Sequence, residues 1–327
     1  MARVAAVDDS GRLYGKPQKQ VRTHAKEAVE RSRLGPGTKH ISPVTYYWAD
    51  WYKEAGSEWK KILTPGSALG FVILNISSGS GGAKQDDWSE QARRAKNSGA
   101  QVLGYVRTTF GKRPKAEVMQ EIQEHIDWYG VDGVFLDEAV NGWSDEQKPF
   151  IPYYQDLYEA LKAKYGSEFW VVNNPGSNTV EEMIPTADVL MTYEQSAENY
   201  LHNQFAISPD FYLKYPSSKF WHVVHDVTPE NYRAVMDKAD REHCGHVYLT
   251  DLSFVPSGDP QTPTVNPYAT APSDWLLDLQ AVWARGGLLP YAKALDVQER
   301  LGAGEWVPVA DVLAGKVAGQ VFVQKTA

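Results

Sequence analysis

A single cysteine, Cys244, stands in the whole chain, so no intrachain disulfide can staple it. It sits in REHCGHVYL, between a helical pattern and a strand, the setting of a small buried hydrophobe rather than a nucleophile. No staple is needed: 327 residues, 43% of them hydrophobic, can bury a large core, which leaves the redox compartment open. Basic residues are outnumbered, 33 Lys and Arg against 41 Asp and Glu. The resulting charge of -8 argues against nucleic acid and gives no reason to expect an anionic membrane surface as partner, since both need a basic face. Long apolar runs are missing too. The opening MARVAAVDDSGRLYGKPQKQ is polar and reads as neither a secretory signal nor a transmembrane segment. Localisation therefore stays open between a cytosolic chain, export by a route the sequence does not reveal, and a signal already removed.

Several catalytic signatures are also absent. No GxGxxG turn follows the first strand pattern, which weakens a dinucleotide-binding open sheet. SSGSGG at 77–82 is rich in glycine but lacks the Lys-Ser/Thr of a phosphate loop, so it reads as a flexible βα loop. There is no HxH or HExxH spacing, and His222 and His225, three apart on a strand, face opposite sides. No GxSxG elbow is present. Neither a metal nor a cofactor is expected.

What is present is a rhythm. From residue 42, eight strand-like segments alternate with helices or helical turns: PVTYYWADWY, ALGFVILNI, QVLGYVRT, VDGVFLDE, EFWVVNNPG, DVLMTYE, KFWHVVHDV and HVYLTDL. Their apolar runs are continuous, as in strands buried on both faces. Eight such units in about 245 residues fit a (β/α)8 TIM barrel, usually ~250 residues. A doubly wound sheet is the runner-up. The expected domains are a polar leader or linker helix over 1–40, the barrel over 41–286, and a small C-terminal appendage over 287–327. Residues 255–273, rich in Pro, Ser and Thr, read as a long functional loop.

In a barrel of this kind catalysis gathers where strands end. Here those ends carry Tyr47, Trp48, Asn75, Tyr105, Arg107, Asp137, Glu138, Asn173, Tyr193, Glu194, His225 and Asp251. Any one of them alone reads as a solvated cap; the set converges on one face. Three acids, Asp137, Glu138 and Glu194, with few bases suit glycoside hydrolysis, which needs two carboxyl groups flanking the bond. Crowding raises one carboxyl pKa and so supplies the acid. Side chains alternate along a strand, so Asp137 and Glu138 cannot both aim at one point unless the backbone turns.

GFVILNISSGSGG, VLGYVRTTFGKR, VDGVFLDEA, VVNNPGS, DVLMTYEQS and HVYLTD resemble, in order and spacing, the spherulation-specific family 4 (spherulin-type) proteins. That group includes glycoside hydrolase family 135 and is similar to family 114. The resemblance covers about residues 42–285. It implies a (β/α)8 barrel cleaving α-1,4-linked polymers of galactosamine or N-acetylgalactosamine, with the family's motif acids falling on Asp137, Glu138 and Glu194. One departure stands out: the family's second-strand motif reads closer to N-P-N-S-G-P-G, where this chain has Asn75-Ile76-Ser77-Ser78-Gly79-Ser80-Gly81. The expected roles are Asp137 as nucleophile or base, Glu194 as acid/base, and Glu138 as their support. Tyr47, Trp48, Tyr105 and Tyr193 would stack on sugar rings; Asn75, Arg107, Asn173, His225 and Asp251 would bind polar groups. The partner is then a polysaccharide, which places the protein outside the cell or on a virion, with assembly through the terminal segments. The competing expectation is a glycan-binding or receptor-binding part, such as a virion tail component, that holds sugar in the same barrel without cutting it.

Overall fold

The computed structural model describes residues 39–255 and 265–286, so most of the expected leader, all of the appendage and the middle of the 255–273 loop lie outside the described residues. Eight strands form one parallel sheet: β1 (His40–Ile41), β2 (Phe71–Leu74), β3 (Gln101–Arg107), β4 (Gly133–Asp137), β5 (Trp170–Asn173), β6 (Val189–Ser196), β7 (Phe220–His225) and β8 (His246–Leu249). Neighbours run β1-β8-β7-β6-β5-β4-β3-β2. The ring is brought round at β1 and β2 by a parallel bridge, Ile41 to Leu69, and by the Gly70 N–H donating to the Ile41 carbonyl at 2.8 Å. Above that bridge a side chain does the work of a strand. The Thr45 hydroxyl donates to the Ile73 carbonyl at 2.7 Å and accepts from the Ile73 N–H at 2.9 Å. The fold is thus a TIM-type (β/α)8 barrel, with helices α1 (Glu58–Leu63), α2 (Asp86–Asn97), α3 (Lys115–Tyr129), α4 (Ile151–Tyr165), α5 (Ala197–His202), α6 (Tyr232–Arg241) and α7 (Asp274–Ala284) between and after the strands.

Local sequence explains these elements. The four residues of β2, Phe-Val-Ile-Leu, are all buried, as a strand sandwiched between barrel interior and helices must be. Helix α2 opens on Asp86 and Asp87 and closes with Arg94 and Lys96, matching its dipole at both ends. Helix α3 stops at Gly130, whose φ of 62° is the left-handed cap glycine adopts without strain. Gly104 in β3 lets α3 press close, since a Cβ there would lie 2.5 Å from the His125 ring.

The barrel interior is filled by rings. His246 stacks on Phe71 (5.4 Å between centroids), Phe71 meets Trp221 edge-on (4.9 Å), Trp221 meets Phe135 (5.9 Å), and Phe135 meets Tyr105 (5.9 Å). This aromatic column rises from the floor and delivers the Tyr105 hydroxyl to Asp137 at the mouth.

Two sequence expectations need correction. The stretch 43–52, read as the first strand, is not one; β1, His40–Ile41, ends before it begins. Pro43 has no N–H to give a ladder, and the side chain of Thr45 supplies the pairing instead. The Gly-rich segment 77–82, read as flexible, is tied to α3. The Ser80 N–H donates to Glu121 at 3.1 Å and its hydroxyl to Glu124 at 2.7 Å, while the Tyr129 hydroxyl donates to the Ser80 carbonyl at 2.9 Å. Cys244 is fully buried, its thiol donating to the His246 carbonyl at 2.7 Å, and burial pushes its pKa up. Among the described residues no helix is long and apolar enough to cross a membrane.

Candidate active site

At the C-terminal mouth of the barrel lies a cleft of about 740 Å³. Its walls include Tyr46, Asp137, Asn174, Gly176, Glu194, His225, Phe254 and Tyr268, and no Lys or Arg is among the lining residues.

Asp137 closes β4. Both of its carboxylate oxygens accept from neighbours: one from the Tyr105 hydroxyl at 2.6 Å, the other from the Asn174 amide at 2.8 Å. The same Asn174 nitrogen donates to Glu194 at 3.2 Å. One NH2 group therefore bridges the two acids, and the bonded oxygens lie no more than about 6 Å apart, the sum of the two bond lengths. Burial, and then the Asp137 charge, push the Glu194 carboxyl above its ordinary 4.5, against the opposing pull of hydrogen bonds from Asn174 and Tyr268. The Tyr105 and Tyr268 hydroxyls are held far above 10 by burial and by Asp137 and Glu194 respectively, so both stay protonated donors. Tyr46 meets Tyr105 and Tyr268 edge-on, at 5.7 and 6.1 Å, completing a wall of three phenols around the acids.

Glu194 reaches this cleft through an irregularity. The β6–β7 register runs Leu190 to Phe220 and Met191 to Trp221, then jumps to Tyr193 opposite His222 and Glu194 opposite Val223. Thr192 is the extra residue of a β-bulge. Met191 shares the inner face with Trp221, so unbroken alternation would turn Tyr193 inward and Glu194 outward. The bulge inverts this, a recognised means of re-aiming a side chain beside a site. The Thr192 hydroxyl is left buried and without a partner.

The same inversion explains where Tyr193, expected as a stacking wall, lies. It packs away from the cleft on Tyr200 (4.6 Å) and His222 (6.0 Å). Other expected site residues are also elsewhere. Tyr47 is buried, its hydroxyl 3.1 Å from that of Tyr248 and its ring against Trp59, because the neighbouring Tyr46 takes the cleft side. Asn173 is fully buried and donates to Thr186; alternation gives the cleft to Asn174. Asp251 accepts the Ser273 N–H at 2.9 Å and the Ser273 hydroxyl, holding the start of α7 rather than a ligand. Asn75 folds back on its own turn, accepting the Ser78 N–H at 2.7 Å. Trp48 is 77% exposed and outside the cleft lining.

Glu138 departs from Asp137 by a backbone turn, its φ of 53° lying in the left-handed region. Its carboxylate sits 3.8 Å from Arg107 at the rim, and neither residue lines the cleft. His225 does line it, with Nδ1 bonded to Asp226, whose carboxylate also takes the Ser253 hydroxyl. Tyr46, Asn174, Phe254 and Tyr268 were missed as site residues. The first two sit beside residues that were chosen; Phe254 immediately precedes the loop flagged by its length and composition, and Tyr268 lies within it. Among the described residues no group of three or more His, Cys, Asp or Glu side chains is arranged to hold a metal ion.

Comparison with known proteins adds three findings. The family described as spherulation-specific family 4 matches residues 41–282. Spherulin-4 of Physarum polycephalum is 25% identical over 156 residues, 46% of this chain. The match spans less than half of that protein, 45% of its length. Among solved structures, Aspergillus clavatus Sph3 in complex with GalNAc superposes with a TM-score of 0.60 and 22% identity, over 76% of this chain and 98% of that one. An endo-β-N-acetylglucosaminidase from Cordyceps militaris in its apo form gives 0.50 at 13% identity, over 84% and 97%. Identities this low speak for the shared barrel, not for a shared reaction.

Proposed function

The chain belongs to spherulation-specific family 4, and on that premise we propose that it is a glycoside hydrolase cutting within polymers of α-1,4-linked galactosamine or N-acetylgalactosamine. The observation that carries this reading is the pair of carboxylates joined by one amide in an open, aromatic-walled cleft. The GalNAc bound to the similar Sph3 barrel supports an amino sugar. So does the charge of the cleft, where Asp137 and Asp226 face no Lys or Arg among the described lining residues and so favour an ammonium-bearing chain.

In the proposed reaction Glu194, kept protonated by burial and by Asp137, gives its proton to the glycosidic oxygen as the bond to the anomeric carbon breaks. The bound of about 6 Å between the bonded oxygens favours the short spacing of retaining enzymes, ~5–5.5 Å, over the ~6.5–9.5 Å of inverting ones. Asp137 therefore attacks the anomeric carbon itself, and the free chain end leaves with the proton from Glu194. Forming that ester consumes the Asp137 charge. One of the two causes that raised Glu194 then disappears, so Glu194 becomes a fit base. It takes a proton from water as the water oxygen attacks the anomeric carbon and releases Asp137. Tyr105 and Asn174 orient Asp137 through one hydrogen bond to each of its oxygens, and Glu138 supports the mouth from the rim.

The test is oligosaccharide release from purified α-1,4-galactosamine polymers, with Asp137→Asn and Glu194→Gln beside the unmodified protein. Each substitution is expected to cost at least about a hundredfold in turnover. Wild-type turnover in both variants sinks the assignment. Binding without any product from the unmodified protein favours a glycan-holding role instead.

A further inference from the structure

Outside the cleft, the loop after β4 carries a tryptophan held in an unusual way. Trp143 is 54% exposed, yet it is fixed at two points. Its indole N–H donates to the Asn178 carbonyl at 2.6 Å, and its backbone N–H donates to the Asn141 side chain at 3.0 Å. The loop beneath is equally constrained. Gln147 accepts from the N–H groups of both Asn141 and Gly142, each at 3.0 Å. Gly142 has a φ of 83°, and a Cβ there would lie 2.6 Å from Val180. Tethered by its polar edge, this indole keeps apolar ring surface in water.

Asn178 also organises the neighbouring surface. Its side-chain amide donates to the carbonyls of Phe205 (3.0 Å) and Ile207 (2.8 Å), side chains that are 76% and 58% exposed. This patch is continuous with the cleft. Asn174 touches both acids and Gly176 lines the wall. Ser177 accepts from the Asn141 side chain at 2.9 Å, and Asn178 holds Trp143. From Asn174 to Asn178 the chain can span at most ~14 Å, a few sugar rings.

We propose that Trp143, with Phe205 and Ile207 beside it, is a distal platform on which the same glycan strand stacks after leaving the cleft. The inference rests on the reading of the cleft as a glycan site. A tryptophan face suits the apolar C–H face of a pyranose, and a tethered ring loses little freedom on binding. The platform makes the protein select for chain length: a long strand reaches it, and a short one fills only the cleft.

The experiment measures calorimetric affinities of the Asp137→Asn protein for short and long α-1,4-linked N-acetylgalactosamine oligosaccharides, alone and combined with Trp143→Ala or Trp143→Phe. The preference for long over short chains is expected to fall about tenfold with Ala, and to return with Phe, which keeps a ring but loses the tethering N–H. An unchanged preference in the Ala variant overturns the platform and leaves the cleft reading intact. A Phe variant as poor as Ala overturns it as well, since loop integrity and not the ring would then be responsible. If the Asp137→Asn protein binds neither length, the cleft reading itself falls and the platform with it.

Discussion

Strands β4 and β6 are each bracketed by acids, and the two ends treat them in opposite ways. On the floor side, Asp132 accepts the Val102 N–H at 3.0 Å and pairs with Lys96 at 2.8 Å. Asp188 accepts the Val171 N–H at 2.8 Å and the Tyr158 hydroxyl at 3.0 Å, and pairs with Lys162 at 2.7 Å. These acids pin neighbouring strands, and each has a cation. At the mouth, Asp137 and Glu194 pair with no cation among the described residues; they share one neutral amide. Identical chemistry thus meets cations below, where it serves attachment, and neutral donors above, from Tyr105, Asn174 and Tyr268. There, burial and the neighbouring Asp137 raise the Glu194 carboxyl above its ordinary range, a perturbation characteristic of reactive sites.

The contrast can be broken at the position that the bulge gives to Glu194. Exchanging it with its neighbour (Glu194→Gln with Gln195→Glu) moves the acid one step along the ladder, from opposite Val223 to opposite Val224, and turns it away from Asp137. Turnover is expected to fall at least about a hundredfold while far-UV circular dichroism stays barrel-like; an active exchange variant would show that the acid need not face Asp137. Next, Asp188→Asn removes a floor anchor. Denaturant unfolding is expected to show a loss of about 2 kcal/mol, because Lys162 loses its charged partner, with turnover per folded molecule retained.

Glu194→Gln should move stability in the other direction. The Glu194 carboxyl is raised in the folded state. The stability linked to its proton is therefore full below the ordinary 4.5 and is lost as pH rises through the folded value. A glutamine cannot ionise, so its thermal midpoint should exceed wild type at pH 7, and the two curves should merge near pH 4. A midpoint below wild type at pH 7 contradicts the picture of an acid kept at the expense of stability. The smallest effect belongs to Glu138, the mouth acid that does have a cation, Arg107. In Glu138→Gly, relief at a φ of 53° and added freedom in the unfolded chain are opposed terms of about 1 kcal/mol each. Stability should stay within ~0.5 kcal/mol, and turnover should fall less than tenfold if Glu138 is only a support.

The eightfold rhythm was legible because strands buried on both faces leave uninterrupted apolar runs, and the acids were legible because runs of that kind seldom end in carboxylates. Which of two neighbours faces the cleft was not. Tyr46 against Tyr47 depended on where β1 stops, and Pro43 with Thr45 moved that point without altering the aromatic composition. Asn174 against Asn173 turned on a single step of alternation beyond the end of β5. Tyr193 was misplaced by the bulge, which no residue type announces: threonine is at home in any strand. Asp251 looked like a ligand group because a strand-end acid and a helix-capping acid are the same letter until the facing Ser273 is seen.

Of all the staves, the first is the least firmly fastened. It meets β8 through two residue pairs and Leu69, just before β2, through one bridge; beyond them it is held by the Thr45 hydroxyl and by the Tyr46 N–H, which donates to the Tyr268 carbonyl at 3.1 Å. Tyr46 is the next residue along. The tyrosine that walls the cleft therefore sits on the seam of the barrel, while Asp137 ends an unbroken pairing of β4 with β3 and Glu194 follows the bulge of β6. The seam is closed at the mouth by the wall itself, since Tyr46 and Tyr268 share a backbone hydrogen bond as well as an edge-on ring contact.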